Sequence, residues 1–347
     1  MDYRTLGRTG LRTSTIGFGC GMVGGLMVSG RGTEQAEVVA EALDLGINYF
    51  DTAPFYGNGQ SETNLGNALR QIKRSAYIGT KFRLDPAIRD DASKLENLGQ
   101  LIAESVEASL RRLGTECVDL LQIHNPISPV QTGSGLTVQT VRTHVLPALQ
   151  QLVKDGKVRF IGMSALGHAP DVIEIIKDGQ FETAQVTYNL LNPSAASTVL
   201  NTGYTENYGQ ILDHASQVSM GAIGIRLLAG GSLCGSEARH PVSTSSVIPL
   251  GRGVGSGKNY AHDVACSRRF NLLVERGYAE SLVDAALRYG LSHEAIHTLA
   301  IGFSSRDQLI EAVKSAENGP LVPAALQLVG QIQEQIQTES RDGLNLS

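Results

Sequence analysis

Four side chains that can take part in proton transfer stand at, or just after, the ends of short apolar segments: Asp51, Tyr56, Lys81 and His124. A tyrosine has an unperturbed pKa of about 10, so it exchanges protons near neutral pH only where a neighbouring cation favours the phenolate. A buried lysine can supply that cation if an anion faces it, and a histidine can orient a substrate oxygen. Taken singly, such residues are usually turn, surface or structural residues, so they are informative only as a set.

Eight apolar segments carry few alternating polar residues and are predicted to be strands buried on both faces. They are Thr15–Gly19, Asn48–Thr52, Ala76–Lys81, Val118–His124, Val158–Met163, Thr183–Tyr188, Ala222–Leu227 and Ile296–Gly302. The helical patterns between them are Glu34–Leu45 after Thr33 as N-cap, Glu62–Ile72 after Ser61 as N-cap, Leu95–Leu113, Val141–Lys154 and Ala279–Tyr289. Eight such units predict a (β/α)8 TIM barrel, in which the polar residues at the strand ends converge on the C-terminal face.

The same alternation is compatible with an open, doubly wound sheet. In its dinucleotide-binding form that fold has a GxGxxG turn after the first strand, and the sequence has none in the required context. The closed barrel is therefore favoured.

Composition and charge narrow the functional classes. The chain has 347 residues, 41% of them hydrophobic, and a formal net charge of −5, with no basic stripe for nucleic acid or an anionic membrane. The sequence has neither a signal-peptide pattern nor a membrane-spanning apolar stretch, so a cytoplasmic location is expected. The cysteines are widely separated without a CxxC pair, and the histidines lack metal-ligand spacing, so no metal site is predicted. The expected partner is a small molecule.

Two segments rich in glycine, serine, proline and threonine follow predicted strands, at Ile127–Thr140 and Gly230–His262. In a barrel they are extended loops of the C-terminal face, although the first could equally be a tolerated insertion. An amphipathic pattern runs from Leu321 to Ile336, and residues 338–347 are expected to form a frayed tail. No linker divides the chain, so residues 1–347 are predicted to form a single domain.

The sequence around the four polar residues resembles the aldo-keto reductase family. The similar segments, in the family's order, are DTAPFYGNGQSETNLGNAL, IGTKF, LRRLGTECVDLLQIHNP, VRFIGMS and AQVTYNLLNP. The opening MDYRTLGRTGL is similar to the family's N-terminal β-hairpin, and the resemblance extends from Met1 to about Val313. Each segment alone is a weak signal, but their order and context make the resemblance specific.

The resemblance implies an NAD(P)H-dependent oxidoreductase that transfers a hydride between nicotinamide and an aldehyde, ketone or sugar carbonyl. Negative charge builds on the carbonyl oxygen during this transfer, and a proton must be supplied there. The implied roles are Tyr56 as general acid and base, Lys81 as the cation that tunes it, Asp51 as the anion that holds the lysine, and His124 as the residue that orients the carbonyl. A cofactor-binding regulatory module resembling the β subunits of potassium channels is the alternative, because those subunits retain the same four residues.

The resemblance also implies a nicotinamide site. Ser164 and Gln185 match the family positions that hold the carboxamide, while Ala165 stands where asparagine is usual. Ile225 replaces a stacking aromatic residue and can cover the ring by apolar contact, and Arg226 could neutralise the pyrophosphate. The loop implied to wrap the phosphates contains Leu228, Gly230 and Ser232.

The segment IGFSSRDQLIEAV resembles the family's adenosine-phosphate segment at a helix N-terminus, where backbone N–H groups and the helix dipole favour anions. Ser304 is implied to bind there. Gly302 and Gln308 stand where the family most often has a cation for the 2′-phosphate, and Arg306 could partly replace that cation. NADP is therefore the expected cofactor by family habit, with NAD as the alternative. The residues expected either to wall the substrate pocket or to belong to the core are Phe18, Met22 and Phe55.

Overall fold

The structure is a computed structural model that describes residues 1–130, 133–197, 206–243, 255 and 259–344. It begins with the predicted antiparallel hairpin of β1 (Tyr3–Thr5) and β2 (Arg12–Ser14). The hairpin turn packs closely on the barrel, since a Cβ atom on Gly7 would lie 2.2 Å from the main-chain nitrogen of Gly221. Leu6 and Leu11 are buried in one apolar cluster with barrel residues, so the hairpin covers the end of the barrel at which β9 begins.

Eight parallel strands form the barrel. They are β3 (Ile16–Gly19), β4 (Tyr49–Asp51), β5 (Tyr77–Phe82), β6 (Val118–Ile123), β7 (Val158–Ser164), β8 (Thr183–Thr187), β9 (Gly221–Ile225) and β10 (Ile296–Gly302). Each strand pairs with the next along the chain, and β10 pairs with β3 to close the ring. The predicted (β/α)8 TIM barrel is confirmed, and the open doubly wound sheet is excluded because the sheet closes.

Helices surround the barrel and cover its outer face. They are α1 (Leu26–Ser29), α2 (Gly32–Asp44), α3 (Gln60–Ile72), α4 (Pro86–Arg89), α5 (Ala92–Glu96), α6 (Leu98–Leu113), α7 (Val138–Thr140), α8 (Leu146–Lys154), α9 (Ala169–Lys177), α10 (Ile211–Gln217), α11 (Tyr260–Arg268), α12 (Asn271–Glu275), α13 (Leu282–Leu291), α14 (Arg306–Glu317) and α15 (Pro323–Leu344). Short 3-10 turns occupy Gly7–Thr9 and Ala229–Cys234, and a π turn at Val141–Val145 joins α7 to α8. Among the described residues, no helix combines the length and the apolar character that a membrane crossing requires.

Both predicted N-caps are wrong. Helix α2 begins after Arg31 and α3 after Gly59, so Thr33 and Ser61 lie inside the first turns of their helices. The Ser61 hydroxyl is buried and donates to the main-chain oxygen of Cys20 at 2.9 Å, so it anchors the helix to the barrel instead of capping it.

Two further boundaries differ from the sequence prediction. The pattern predicted as one helix from Leu95 to Leu113 is interrupted at Asn97, which ends α5 and begins α6. Helix α15 continues to Leu344, through much of the segment expected to fray. An ion pair of 2.8 Å between Arg269 and Glu339 ties this extension to the rest of the fold.

Candidate active site

A cavity of about 830 Å³ opens at the C-terminal ends of the barrel strands. Its wall includes Asp51, Tyr56 and His124, together with the segment after β3 and the first turns of α14. The volume lies in the range of about 300–1,000 Å³ that is typical of small-molecule sites. The topology therefore brings predicted site residues from distant parts of the sequence to one place.

Lys81 forms a buried ion pair with Asp51 of the cavity wall. The Lys81 Nζ donates to Asp51 Oδ2 at 2.5 Å and to the main-chain oxygen of Thr52 at 2.9 Å. Burial alone would lower the pKa of Lys81, but the Asp51 charge and the nearby Tyr56 oppose burial and raise this pKa above its ordinary value. Lys81 is therefore a cation at neutral pH, held by an anion.

Tyr56 lies beside this pair, with the Lys81 Nζ 4.9 Å from the centroid of its ring. Burial raises the pKa of the phenol, and the Asp51 charge adds to the rise, whereas the Lys81 charge lowers it. The hydroxyl is thus protonated at rest, and its conjugate base has a cation next to it.

The turn that follows Tyr56 connects its main chain to the start of α3. Gly57, Asn58 and Gly59 all have left-handed backbones, with φ of 61°, 52° and 88°. Glycine and asparagine adopt this region at low cost, so the sequence GNG permits three such residues in a row. The main-chain oxygen of Tyr56 then accepts from the N–H of Ser61 at 3.1 Å, which ties the tyrosine to the start of α3.

His124 follows β6 and faces Tyr56 edge-on, with 6.0 Å between the ring centroids and 89° between the ring planes. Phe55 lies on another side of the imidazole at a centroid distance of 6.1 Å. The Nδ1 atom of His124 is buried and has no hydrogen-bond partner among the described residues. A polar atom in this condition at a cavity wall favours a ligand with a complementary group.

The electrostatic surroundings of His124 are strongly positive. Burial, followed by the charges of Lys81, Arg83 and Arg226, lowers the pKa of His124 to about 3. The imidazole is therefore neutral throughout the physiological range and carries one N–H and one acceptor nitrogen. It can hydrogen-bond to a substrate oxygen without adding a charge to the site.

The match to the model of the Aldo/keto reductase family extends over residues 15–334, from the start of the barrel to α15. The chain belongs to this family. Since the family is one of oxidoreductases, the cavity at the C-terminal face is the candidate active site of an oxidoreductase.

Similar proteins include enzymes and a protein that is named as a channel subunit. L-galactose dehydrogenase from Arabidopsis thaliana is 29% identical over 323 aligned positions, covering 90% of this chain and 87% of that protein. A Schizosaccharomyces pombe protein named as a voltage-gated potassium channel subunit beta is 29% identical, with 96% of this chain and 93% of that protein covered. The apo form of the aldo-keto reductase AKR11C1 from Bacillus halodurans has a TM-score of 0.66 and 26% identity, with 96% of both chains covered.

In this member of the Aldo/keto reductase family, Ser164 is the last residue of β7 and Gln185 lies in the middle of β8, and both line the cavity. The Ser164 hydroxyl is buried and has no partner within the described ranges, which fits an amide-bearing ligand. Gln185 uses its Nε2 to donate to Asp51 Oδ1 at 2.6 Å. This hydrogen bond leaves the oxygen of the Gln185 amide for contact with a ligand, and this restriction is not visible in the sequence.

The implied ring-covering and phosphate residues are only partly placed at the cavity. Ile225, Arg226, Leu228 and Gly230 line it. Ser232 does not, because its buried hydroxyl donates to the main-chain oxygen of Ala229 at 3.0 Å. Gly230 and Gly231 have left-handed φ of 68° and 100° and leave backbone free of side chains in the wall, which fits a ligand with phosphate groups.

At the start of α14, Ser304 and Gln308 line the cavity and are joined by a 2.8 Å hydrogen bond from the Ser304 N–H to the Gln308 Oε1. Arg306 lies outside the cavity wall, 65% exposed, and its guanidinium forms a bidentate ion pair with Glu41 of α2, 2.7 Å at one of its two contacts. In this arrangement a partner far along the chain holds the Arg306 guanidinium, and the role of Arg306 as a partial replacement for the 2′-phosphate cation stays a prediction. The carboxylate-bearing Glu311 lines the same end of the cavity and was not predicted from the sequence.

The three residues expected to wall the substrate pocket or belong to the core take different positions. Phe18 is fully buried and stacks on Phe50 at 5.3 Å, so it belongs to the core. Met22 lines the cavity, and Phe55 is 38% exposed beside His124. Of the two predicted loops, residues 131–132, 244–254 and 256–258 lie outside the described residues.

Besides Glu311, sequence reasoning missed two residues that surround Asp51. The Asp51 Oδ1 atom accepts hydrogen bonds from the Tyr49 hydroxyl and from the Gln122 Nε2, each at 3.2 Å, in addition to Gln185. Tyr49 precedes Asp51 by two positions, and Gln122 precedes His124 by two, so the period of a strand places each pair on one face. That periodicity is the signal that could have found them. Within the described ranges, no group of three His, Cys, Asp or Glu side chains is arranged to hold a metal ion.

Proposed function

We propose that the protein is an NAD(P)H-dependent aldo-keto reductase that interconverts the carbonyl group of an aldehyde, ketone or sugar and the corresponding alcohol. The observation that carries the proposal is the contact series from Asp51 through Lys81 to Tyr56, which ends at a cavity large enough for a small-molecule site. Each of the first two residues stabilises the charged form of the residue that follows it in the series. The carboxylate keeps the buried lysine charged, and the lysine stabilises the phenolate.

In the reducing direction, Tyr56 donates its hydroxyl proton to the carbonyl oxygen as negative charge develops there. The resulting phenolate lies beside the Lys81 cation, which limits the cost of the transfer. In the oxidising direction the same phenolate takes the proton from the alcohol. Positioned acids of this kind contribute about 10² to 10⁴ in rate.

His124 orients the substrate oxygen toward Tyr56. Its low pKa keeps the imidazole neutral, so His124 does not compete with Tyr56 as the acid. The edge-on packing of His124 against the Tyr56 ring, with both residues in the wall of one cavity, supports this role. A carbonyl oxygen held by two groups is constrained in direction, which favours productive attack.

Bound NAD(P)H would supply the hydride. We propose that Ser164 and Gln185 hold its carboxamide, that Ile225 covers the ring, and that the wall formed by Arg226, Leu228 and Gly230 receives the phosphates. At the adenosine end, Ser304 and Gln308 are the proposed contacts. Because Arg306 is paired with Glu41 and Glu311 adds negative charge, we propose that NADP is accepted with only a weak preference over NAD.

A cofactor-binding regulatory module is the second candidate, and the likeness to the Schizosaccharomyces pombe channel subunit favours it. The two candidate functions can be distinguished by whether the protein turns over a carbonyl substrate. A panel of sugars, glyoxals and aromatic aldehydes, followed at the absorbance of NADPH and of NADH, shows multiple turnovers for an enzyme and none for a module that only binds cofactor.

The variant Tyr56→Phe tests the proposed chemistry. It removes one hydroxyl and preserves the ring, so we expect turnover to fall by about 10²-fold or more while cofactor affinity stays within a few fold. Tyr289→Phe deletes a hydroxyl from another buried tyrosine, on α13, and serves as the matched control. Rapid turnover by Tyr56→Phe would remove Tyr56 from the mechanism. Loss of cofactor binding would show that its role is structural.

A further inference from the structure

The barrel interior directly beneath the proposed catalytic residues contains a tyrosine with no role in the scheme above. Tyr49 and Asp51 are two residues apart on β4, so both point into the barrel, with Tyr49 one layer deeper. Tyr49 is completely buried, and its hydroxyl donates to Asp51 Oδ1 at 3.2 Å. The other oxygen of Asp51 holds Lys81.

The neighbouring strands leave room for this ring. A Cβ atom on Gly79 would lie 2.5 Å from the Tyr49 hydroxyl oxygen, and one on Gly17 would lie 2.8 Å from the Tyr49 Cδ1. Neither glycine has a left-handed backbone, so the conformation does not require glycine at these positions. Glycine is required there because a side chain on the strand at either side of β4 would collide with the Tyr49 ring.

We propose that Tyr49 is a positioning residue that acts through Asp51 and Lys81 to set the proton affinity of Tyr56. The proposal rests on the function assigned to Tyr56 above. The Tyr49 O–H dipole points its positive end at Asp51 Oδ1, where it stabilises the carboxylate and adds positive potential in the region shared with Tyr56. Gln122 contributes a second dipole of the same sign to the same oxygen.

The direction of the effect follows from this dipole. Burial, and then the Asp51 charge, raise the pKa of Tyr49 well above its ordinary value, so its hydroxyl stays protonated and remains a donor at neutral pH. Removing the hydroxyl removes positive potential near Tyr56. The phenolate of Tyr56 is then less stable, and its proton is held more tightly.

The first measurement does not depend on turnover. Full-length protein labelled at tyrosine ¹³Cζ is titrated by NMR between pH 7 and pH 11.5, and the Tyr56 resonance is assigned by its loss in Tyr56→Phe. We expect Tyr49→Phe to raise the Tyr56 pKa by about 0.5 to 1 unit, and Tyr289→Phe to leave it unchanged. Gln122→Met removes the second donor and should shift the Tyr56 pKa in the same direction.

The second measurement is the pH profile of alcohol oxidation, which needs the phenolate. Below the pKa, a rise of that size lowers the phenolate fraction, so kcat for Tyr49→Phe should fall about 3- to 10-fold at pH 8 with KM unchanged. A Tyr56 titration that is identical in wild type and Tyr49→Phe overturns the proposal, and so does a pH profile of alcohol oxidation that the substitution leaves unchanged. A shifted titration in a protein without turnover upholds the role of Tyr49 and refutes the proposed function instead.

Discussion

Lys81 places its ammonium nitrogen 2.5 Å from Asp51 in a site where the lysine side chain has no exposed surface. Such a pair costs desolvation energy to bury, and its two members depend on each other. The Asp51 carboxylate has hydrogen bonds besides those of the ion pair, because Tyr49, Gln122 and Gln185 also donate to it.

Lys81→Met is expected to lower turnover by at least 10²-fold, since the phenolate of Tyr56 loses its cation. It also leaves Asp51 buried without a counter-charge. We expect the free energy of unfolding to fall by about 3 kcal/mol, at the lower end of the range for breaking a buried pair, because three hydrogen bonds to the carboxylate remain. Urea denaturation at pH 7 and carbonyl reduction assays measure the two effects.

The double variant Lys81→Met/Asp51→Asn separates these effects. The second substitution removes the unpaired charge, so most of the lost stability should return while turnover stays low. Near-normal activity of either variant at neutral pH would show that Lys81 does not tune Tyr56.

His124 gives the protein a predictable sensitivity to acid. Its pKa is lowered to about 3 in the folded protein and is near 6.5 in the unfolded chain, so below pH 6.5 the unfolded chain binds a proton that the folded protein does not. Stability from this residue is complete above about pH 6.5 and is lost progressively as the pH falls toward 3. The free energy of unfolding should fall in wild type when the pH is lowered from 7.5 to 5. We expect this fall to be about 1 to 2 kcal/mol smaller in His124→Gln, which lacks the imidazole. Equal losses would place the imidazole in a more solvated environment.

The barrel could be predicted because its strands are buried on both faces and therefore read as short apolar segments. Asp51, Lys81 and His124 could be placed because each stands at or just after such a segment. The hydrogen bond from Gln185 to Asp51 could not be predicted, since the residues are 134 positions apart and the contact depends on how the strands close into a ring. Sequence spacing predicts the face of a strand on which a side chain lies, but not the residue that this side chain contacts across the barrel.

Ser61 and Arg306 have tertiary partners that local sequence rules do not predict. Ser61 fits the composition of an N-cap, yet its hydroxyl is used to attach α3 to Cys20 and Thr52 of the barrel. Arg306 fits a phosphate-binding position at a helix start, yet Glu41, 265 positions away, holds its guanidinium. In both cases the residue type was interpreted correctly as a hydrogen-bonding group, and its partner was set by the fold.

The Glu41–Arg306 pair leads to a prediction about cofactor choice. Arg306 is the first residue of α14, beside Ser304 and Gln308 of the cavity wall, and its guanidinium is turned away to α2. Glu41→Gln removes the charge that holds it there. Because an arginine released at this helix start can pair with a 2′-phosphate, we expect the ratio of NADPH to NADH affinity to rise roughly tenfold. Fluorescence titration with each cofactor gives this ratio directly.

Two controls make the comparison specific to Arg306. Glu34→Gln makes the same change of charge in the first turn of α2 without breaking the pair, so it should leave the ratio within about twofold of wild type. In the double variant Glu41→Gln/Arg306→Gln the gain should disappear, because the released guanidinium is absent. If Glu41→Gln alone leaves the ratio unchanged, Arg306 does not reach the 2′-phosphate. If the double variant keeps the gain, the effect comes from the loss of negative charge on α2 and not from Arg306.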